Sequence, residues 1–136
     1  MRFALFLGRK SKMIVLKRIY EPSSTEDGKR ILVDGIWPRG ISKDKAQLDK
    51  WMKEIAPSTE LRKEFNHKPE RFEEFKEHYI KELQETEEKK VALNQLLEMA
   101  KEEKVTLLFG AKDEVHNQAV VLKDVLVRVL DEQQNG

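Results

Sequence analysis

Apolar and polar positions along this chain change period several times, and each change marks out an element. From Met13 to Tyr20 the order Met-Ile-Val-Leu-Lys-Arg-Ile-Tyr is rich in β-branched and aromatic residues and runs into Glu21-Pro22-Ser23-Ser24, the pattern of a strand that ends in a loop. Asp27-Gly28 supplies a turn. Arg30 to Trp37 then reads as a second strand, whose unbroken Ile31-Leu32-Val33 run suits burial on both faces. Pro38 cannot continue a central ladder, so this strand is expected to stop at Trp37.

Helical spacing takes over from there. Leu48, Trp51, Met52 and Ile55 recur at i, i+3, i+4 and i+7, which predicts a helix from about Lys45 to Ala56, stopped by Pro57. Ser58 can cap a short helix carrying Leu61 and Phe65, and Pro69 opens a longer one with Phe72, Phe75, Tyr79 and Leu83 on one stripe. Thr86 starts another, turning Leu93, Leu96, Leu97 and Ala100 inward. Val105 to Phe109 is the third and most apolar strand. After Gly110-Ala111-Lys112-Asp113 a last helix packs back through Ala119, Leu122, Leu126, Val129 and Leu130.

The expected fold is therefore α/β: a single layered domain over 13–131, with a small three-stranded, at least partly parallel sheet covered by about five helices. The direction of the first strand stays open, since the loop from Glu21 to Lys29 is short enough for an antiparallel pairing. Residues 1–12 read as an N-terminal extension compatible with an upstream start codon, and 132–136 as a frayed tail.

Composition narrows the function classes. A chain of 136 residues can bury about two-thirds of its unfolded surface, so one core without a partner suffices. Its 26 basic and 25 acidic side chains nearly cancel, which argues against a general nucleic-acid coat. The balance is uneven, though: residues 1–45 carry a net +6 and residues 46–136 a net −5. No cysteine is present, which excludes a disulfide framework, a thiolate nucleophile and cysteine-based zinc sites, and fits a reducing cytoplasm. The apolar run Phe3–Leu7 is too short for a signal peptide or a membrane span, so no membrane partner is expected.

Candidate chemistry collects at two strand ends. Open α/β sheets bind ligands beyond the carboxyl ends of their strands, where this chain carries Trp37-Pro38-Arg39-Gly40 and Gly110-Ala111-Lys112-Asp113-Glu114-Val115-His116-Asn117. Arg39 and Lys112 supply positive charge there, the two glycines let backbone approach a ligand, and the last helix offers free N–H groups at its start. Arg18 and Tyr20 join them only if the first strand runs parallel to the second. Trp37 is either a strand-end anchor or a surface for ligand stacking. Asp34, inside an apolar strand, either pairs with Arg18 or Arg39 or is a functional carboxylate. His116-Asn117 either caps the last helix or places an acid–base imidazole.

Conventional machinery is missing. His67, His78 and His116 show no metal-ligand spacing, and the P-loop, the dinucleotide glycine fingerprint and the Gly-x-Ser-x-Gly elbow do not occur, so neither a metal nor a cofactor is expected. The favoured reading is a site for a small anionic molecule, phosphate or carboxylate, with Arg18, Trp37, Arg39, Lys112 and Asn117 as contacts and His116 and Asp34 as acid–base groups. The alternative is non-catalytic binding of nucleic acid or protein by the basic N-terminal third, with Lys10, Lys12, Lys17, Arg18, Lys29 and Arg30 on one exposed face. A third reading is structural, with Asp34, Arg39 and Trp51 knitting sheet to helix.

Taken as a set, Lys17-Arg18-Ile19-Tyr20, Asp27-Gly28, Leu32-Val33-Asp34, Trp37-Pro38-Arg39-Gly40, Asp49-x-Trp51, Ala56-Pro57-Ser58, Leu61-Arg62, His67, Tyr79 and Ala111-Lys112-Asp113-x-x-His116-Asn117-x-Ala119 resemble the YeaO-like bacterial proteins, domain-of-unknown-function family 488. The resemblance runs from about Met13 to Leu130 and implies a small cytosolic α/β protein. Two positions depart from the family's usual pattern: Gly35 stands where members commonly carry arginine, and Lys68 where they commonly carry aspartate.

Overall fold

Four strands, five α-helices and three single 3₁₀ turns make up residues 14–135, which are the residues described by the computed structural model. The strands are β1 (Ile14–Arg18), β2 (Lys29–Leu32), β3 (Lys50–Trp51) and β4 (Val105–Phe109). The helices are α1 (Lys43–Ala46), α2 (Thr59–Phe65), α3 (Phe72–Glu85), α4 (Glu87–Glu102) and α5 (Gln118–Asn135). Strand order is β1-β4-β2-β3, and every pairing is parallel. Ile14 and Lys29 both register with Val105, and Ile31 registers with Lys50.

β4 is central, and all five of its residues are buried, as a strand covered on both faces must be. Alternation then divides the core. Val105, Leu107 and Phe109 point with Ile14 and Ile31 into the larger cluster, which α2 to α5 complete. Leu108 and Leu32 point the other way, into a smaller cluster of Ile19 and Ala46 flanked by Trp37, Ile41, Leu48 and Trp51. Helices cover one face of the sheet; α1 and the chain around it cover the other.

Three expectations need correction. The sheet has four strands rather than three, because the helix expected over Lys45–Ala56 does not form. Gln47 takes a left-handed conformation, φ 47°, and ends α1 after one turn. Asp49 then hydrogen-bonds the backbone of Arg30 twice, its N–H to the carbonyl at 2.9 Å and its carboxylate from the N–H at 2.8 Å, which lays Lys50–Trp51 along β2. Second, β2 ends at Leu32, with one more ladder bond from Val33 N to Leu108 O at 3.0 Å, so Trp37 lies in a loop. Third, the basic residues of the N-terminal third do not share one exposed face. Arg30 is 4% exposed, and its Nη1 lies 2.6 Å from Asp27, which also holds Lys17 at 3.1 Å. Lys10, Lys12 and the extension 1–12 lie outside the described residues, and α5 runs to Asn135, through most of the segment expected to fray.

The remaining helices form where the pattern puts them. Ser58 Oγ caps α2 by accepting from Leu61 N at 3.2 Å, and Phe72, Phe75, Tyr79 and Leu83 are all buried along α3. Among the described residues no helix is long and apolar enough to cross a membrane.

Candidate functional site

Because β1, β4 and β2 are parallel, their C-terminal ends open on one edge of the sheet. Asp34, two residues past β2, reaches across this edge. One carboxylate oxygen accepts from Gly110 N at 2.9 Å and the other from Gln118 Nε2 at 2.5 Å, so it ties β2 to the turn between β4 and α5. Burial raises its pKa above the ordinary 3.8, against the opposing pull of those two donors and of the Arg62 charge.

Beside Asp34 lies a cleft of about 180 Å³ bounded by Ile36, Arg62, His67, His116 and Gln118, with Phe65 and Phe75 in its wall. Arg62 gets there through α2. The Ser58 cap fixes the helix start, Leu61 and Phe65 bury at i and i+4, and Arg62 follows at the margin of that buried face. Its Nη2 donates to Thr59 Oγ1 at 3.2 Å, while its Nε is buried without an acceptor. No carboxylate of the described residues is ion-paired with it. Gly35 keeps the space beside it open: a Cβ there would stand 3.7 Å from the Arg62 guanidinium and 3.3 Å from Ala56 Cβ. Asn66 and His67 are both left-handed, φ 49° and 55°, and this reversal after α2 brings His67 back to the cleft.

His116 enters from the β4–α5 turn. Its Nδ1 lies 2.8 Å from Asp113 Oδ2, and its ring stands edge-on to Phe72 at 5.2 Å. Asp113 also accepts from the backbone N–H groups of Val115 and His116. Hydrogen bonds from the His116 backbone and side chain, then from Val115, bring its pKa down to about 2. Asn117 is 2% exposed; it accepts from Val120 N at 3.1 Å and donates to Asp113 O at 2.9 Å, which makes it the cap of α5.

Of the residues singled out from the sequence, Asp34, His116 and Asn117 come together around this cleft. The others stand outside its lining. Arg18 donates from Nε to Ala111 O at 2.8 Å and from Nη2 to Gly110 O at 3.3 Å, fastening the turn after β4, and stacks over the Tyr20 ring at 4.8 Å. Trp37 donates to Ile41 O at 2.7 Å and packs edge-to-face on Trp51 at 5.2 Å, as an anchor of the smaller core. Arg39 is exposed, with its carbonyl accepting from Tyr20 OH at 2.8 Å, and Lys112 is exposed on its turn. Asp34 pairs with neither Arg18 nor Arg39 among the described residues. Arg62 entered the sequence reading only within the Leu61-Arg62 motif of the family resemblance, without a site role, and Gln118 did not enter it. For Arg62 a signal existed, a cation one step past a buried leucine behind a helix cap; Gln118 carries no local mark. Among the described residues no group of three or more His, Asp or Glu is placed to hold a metal ion.

The family described as the inactive DUF488-N3 subclade, DUF488-N3i, matches residues 13–136. The chain is similar to the uncharacterized protein YeaO of Escherichia coli K12, with 46% identity over 113 residues, 83% of this chain and 96% of that protein. It is also similar to the uncharacterized proteins Mb3100c of Mycobacterium bovis and Rv3073c of Mycobacterium tuberculosis H37Rv, each 39% identical over 109 residues, 80% of this chain and 89% of theirs. No solved structure matches it.

Proposed function

Since the chain belongs to the YeaO-like DUF488 family, in the DUF488-N3 subclade described as inactive, we propose that its cleft binds a small anion, phosphate or carboxylate, without turning it over. One observation carries this reading: Arg62 stands in a concave site without a carboxylate in ion-pair contact among the described residues and with a buried Nε that has no acceptor among them. Leaving a buried donor unmet costs about 1–3 kcal/mol, more for a charged group, and an anion settling against the guanidinium offsets that cost.

The way the candidate acid–base groups are engaged supports binding without turnover. Both oxygens of Asp34 already accept from Gly110 and Gln118, and His116 Nδ1 is held by Asp113. These contacts brace the β4–α5 turn. Gly35 stands in the lining where family members commonly carry arginine, so among the described residues Arg62 is the fixed cation there. A nucleic-acid face on the N-terminal third has less support, because Arg30 is buried and it and Lys17 are both spent on Asp27.

The test is the thermal midpoint of the full chain in phosphate and in acetate, at matched ionic strength, for wild type, Arg62→Gln and Arg39→Ala. A ligand at 100 times its Kd adds about 2.7 kcal/mol to the folded state. Wild type and Arg39→Ala should rise with at least one of the anions while Arg62→Gln does not, a comparison that also cancels general salting-out by phosphate. No rise in wild type, or an equal rise in Arg62→Gln, overturns the proposal.

A further inference from the structure

The lining also bears on which anion enters, and we infer that the ligand is an amphipathic monocarboxylate, one carboxylate on a small ring or branched apolar body. This rests on the anion reading above. Charge is the first ground. Among the described residues Arg62 is the one fixed cation in the lining; Asp34 faces the same space, and His116 is matched by Asp113. With Asp34 ionised, Arg62 and Asp34 already cancel, so a monoanion leaves one excess negative charge and a dianion two in a partly dry site, where unpaired charge is costly.

Shape and polarity are the second ground. Ile36, Pro57, Phe65, Phe75 and Ala111 make much of the wall, in which the buried Phe65 and Phe75 rings stack on each other at 4.5 Å with 25° between their planes. Ile36 is 65% exposed, a large aliphatic side chain facing solvent beside the cleft, and covering it is favourable. An apolar cavity of about 150 Å³ accepts a benzene ring, so about 180 Å³ takes a ring with a carboxylate. Inorganic phosphate or acetate would leave this wall bare.

Binding of acetate, benzoate, inorganic phosphate and phenyl phosphate to the full chain, followed by amide chemical shifts at fixed ionic strength, tests the inference. One buried CH₂ is worth about fourfold in affinity, so benzoate should bind at least tenfold tighter than acetate and tighter than phenyl phosphate. Ile36→Ser, a change at an exposed position, should weaken benzoate several-fold more than it weakens acetate. If acetate matches benzoate, or either phosphate binds better than benzoate, the inference falls and the anion site stands. If none of the four binds, or benzoate binding survives Arg62→Gln, the anion site falls with it.

Discussion

Gly28 and Gly40 share a left-handed backbone, φ 65° and 79°, yet their surroundings differ completely. A Cβ on Gly28 would stand 2.3 Å from the Lys104 carbonyl oxygen, which belongs to the chain entering β4 and cannot step aside; a Cβ on Gly40 meets nothing within 4 Å. Gly40→Ala should therefore cost only conformational strain, about 1 kcal/mol, and Gly28→Ala at least about 3 kcal/mol. Urea denaturation of the two variants decides it, and equal losses would contradict the packing described. Single residues were unevenly legible. The capping role of Asn117 follows from side-chain chemistry acting within three residues. Asp34 was visible as an expensive carboxylate, but its partners Gly110 and Gln118 lie 76 and 84 positions away, and no local pattern names them.

Elements whose period extends over several turns were read correctly, because α3, α4 and α5 each carry enough apolar repeats to exclude a strand. The failure at Lys45–Ala56 is instructive. Four apolar residues at helical spacing also suit an extended edge: Trp51 faces the smaller core and Met52 the larger one. Asp49 decides between the two by gripping Arg30. Asp49→Ala should loosen β3 specifically. Hydrogen exchange at the Met52 amide, bonded to Leu32 O at 2.9 Å, should quicken at least tenfold while the Leu107 amide keeps its protection. Unchanged exchange at Met52 would mean that β3 holds without the aspartate.

For the molecule as a whole, the α/β class and the shared edge of strand ends were readable, whereas the order β1-β4-β2-β3 depends on pairings between distant segments. The same network sets the acid limit of stability. Burial alone would raise Asp27, but its hydrogen bond from Ser24 and its contacts with Lys17 and Arg30 bring it below the ordinary 3.8; Asp113 lies at about 2. A carboxylate lowered by folding stabilises fully above its unfolded pKa, and that stability is lost as pH falls through the folded value. Asp34, raised by burial, works in the opposite sense, losing stability as pH rises through its folded value. Stability should drop steeply from about pH 4 toward pH 2, and Asp113→Asn should make the drop shallower in urea titrations at pH 2 to 5. A pH-independent midpoint over that range would contradict the pairing.

Trp37 and Trp51 are the chain's only tryptophans, and they touch each other on the face of the sheet away from α2 to α5. Trp51 Nε1 donates at 2.7 Å to the backbone carbonyl of Asp34, whose carboxylate borders the cleft on the far side of that same residue. The molecule thus has a label-free optical gauge built into it: an indole hydrogen-bonded to the backbone of a residue that lines the cleft, emitting from the opposite layer.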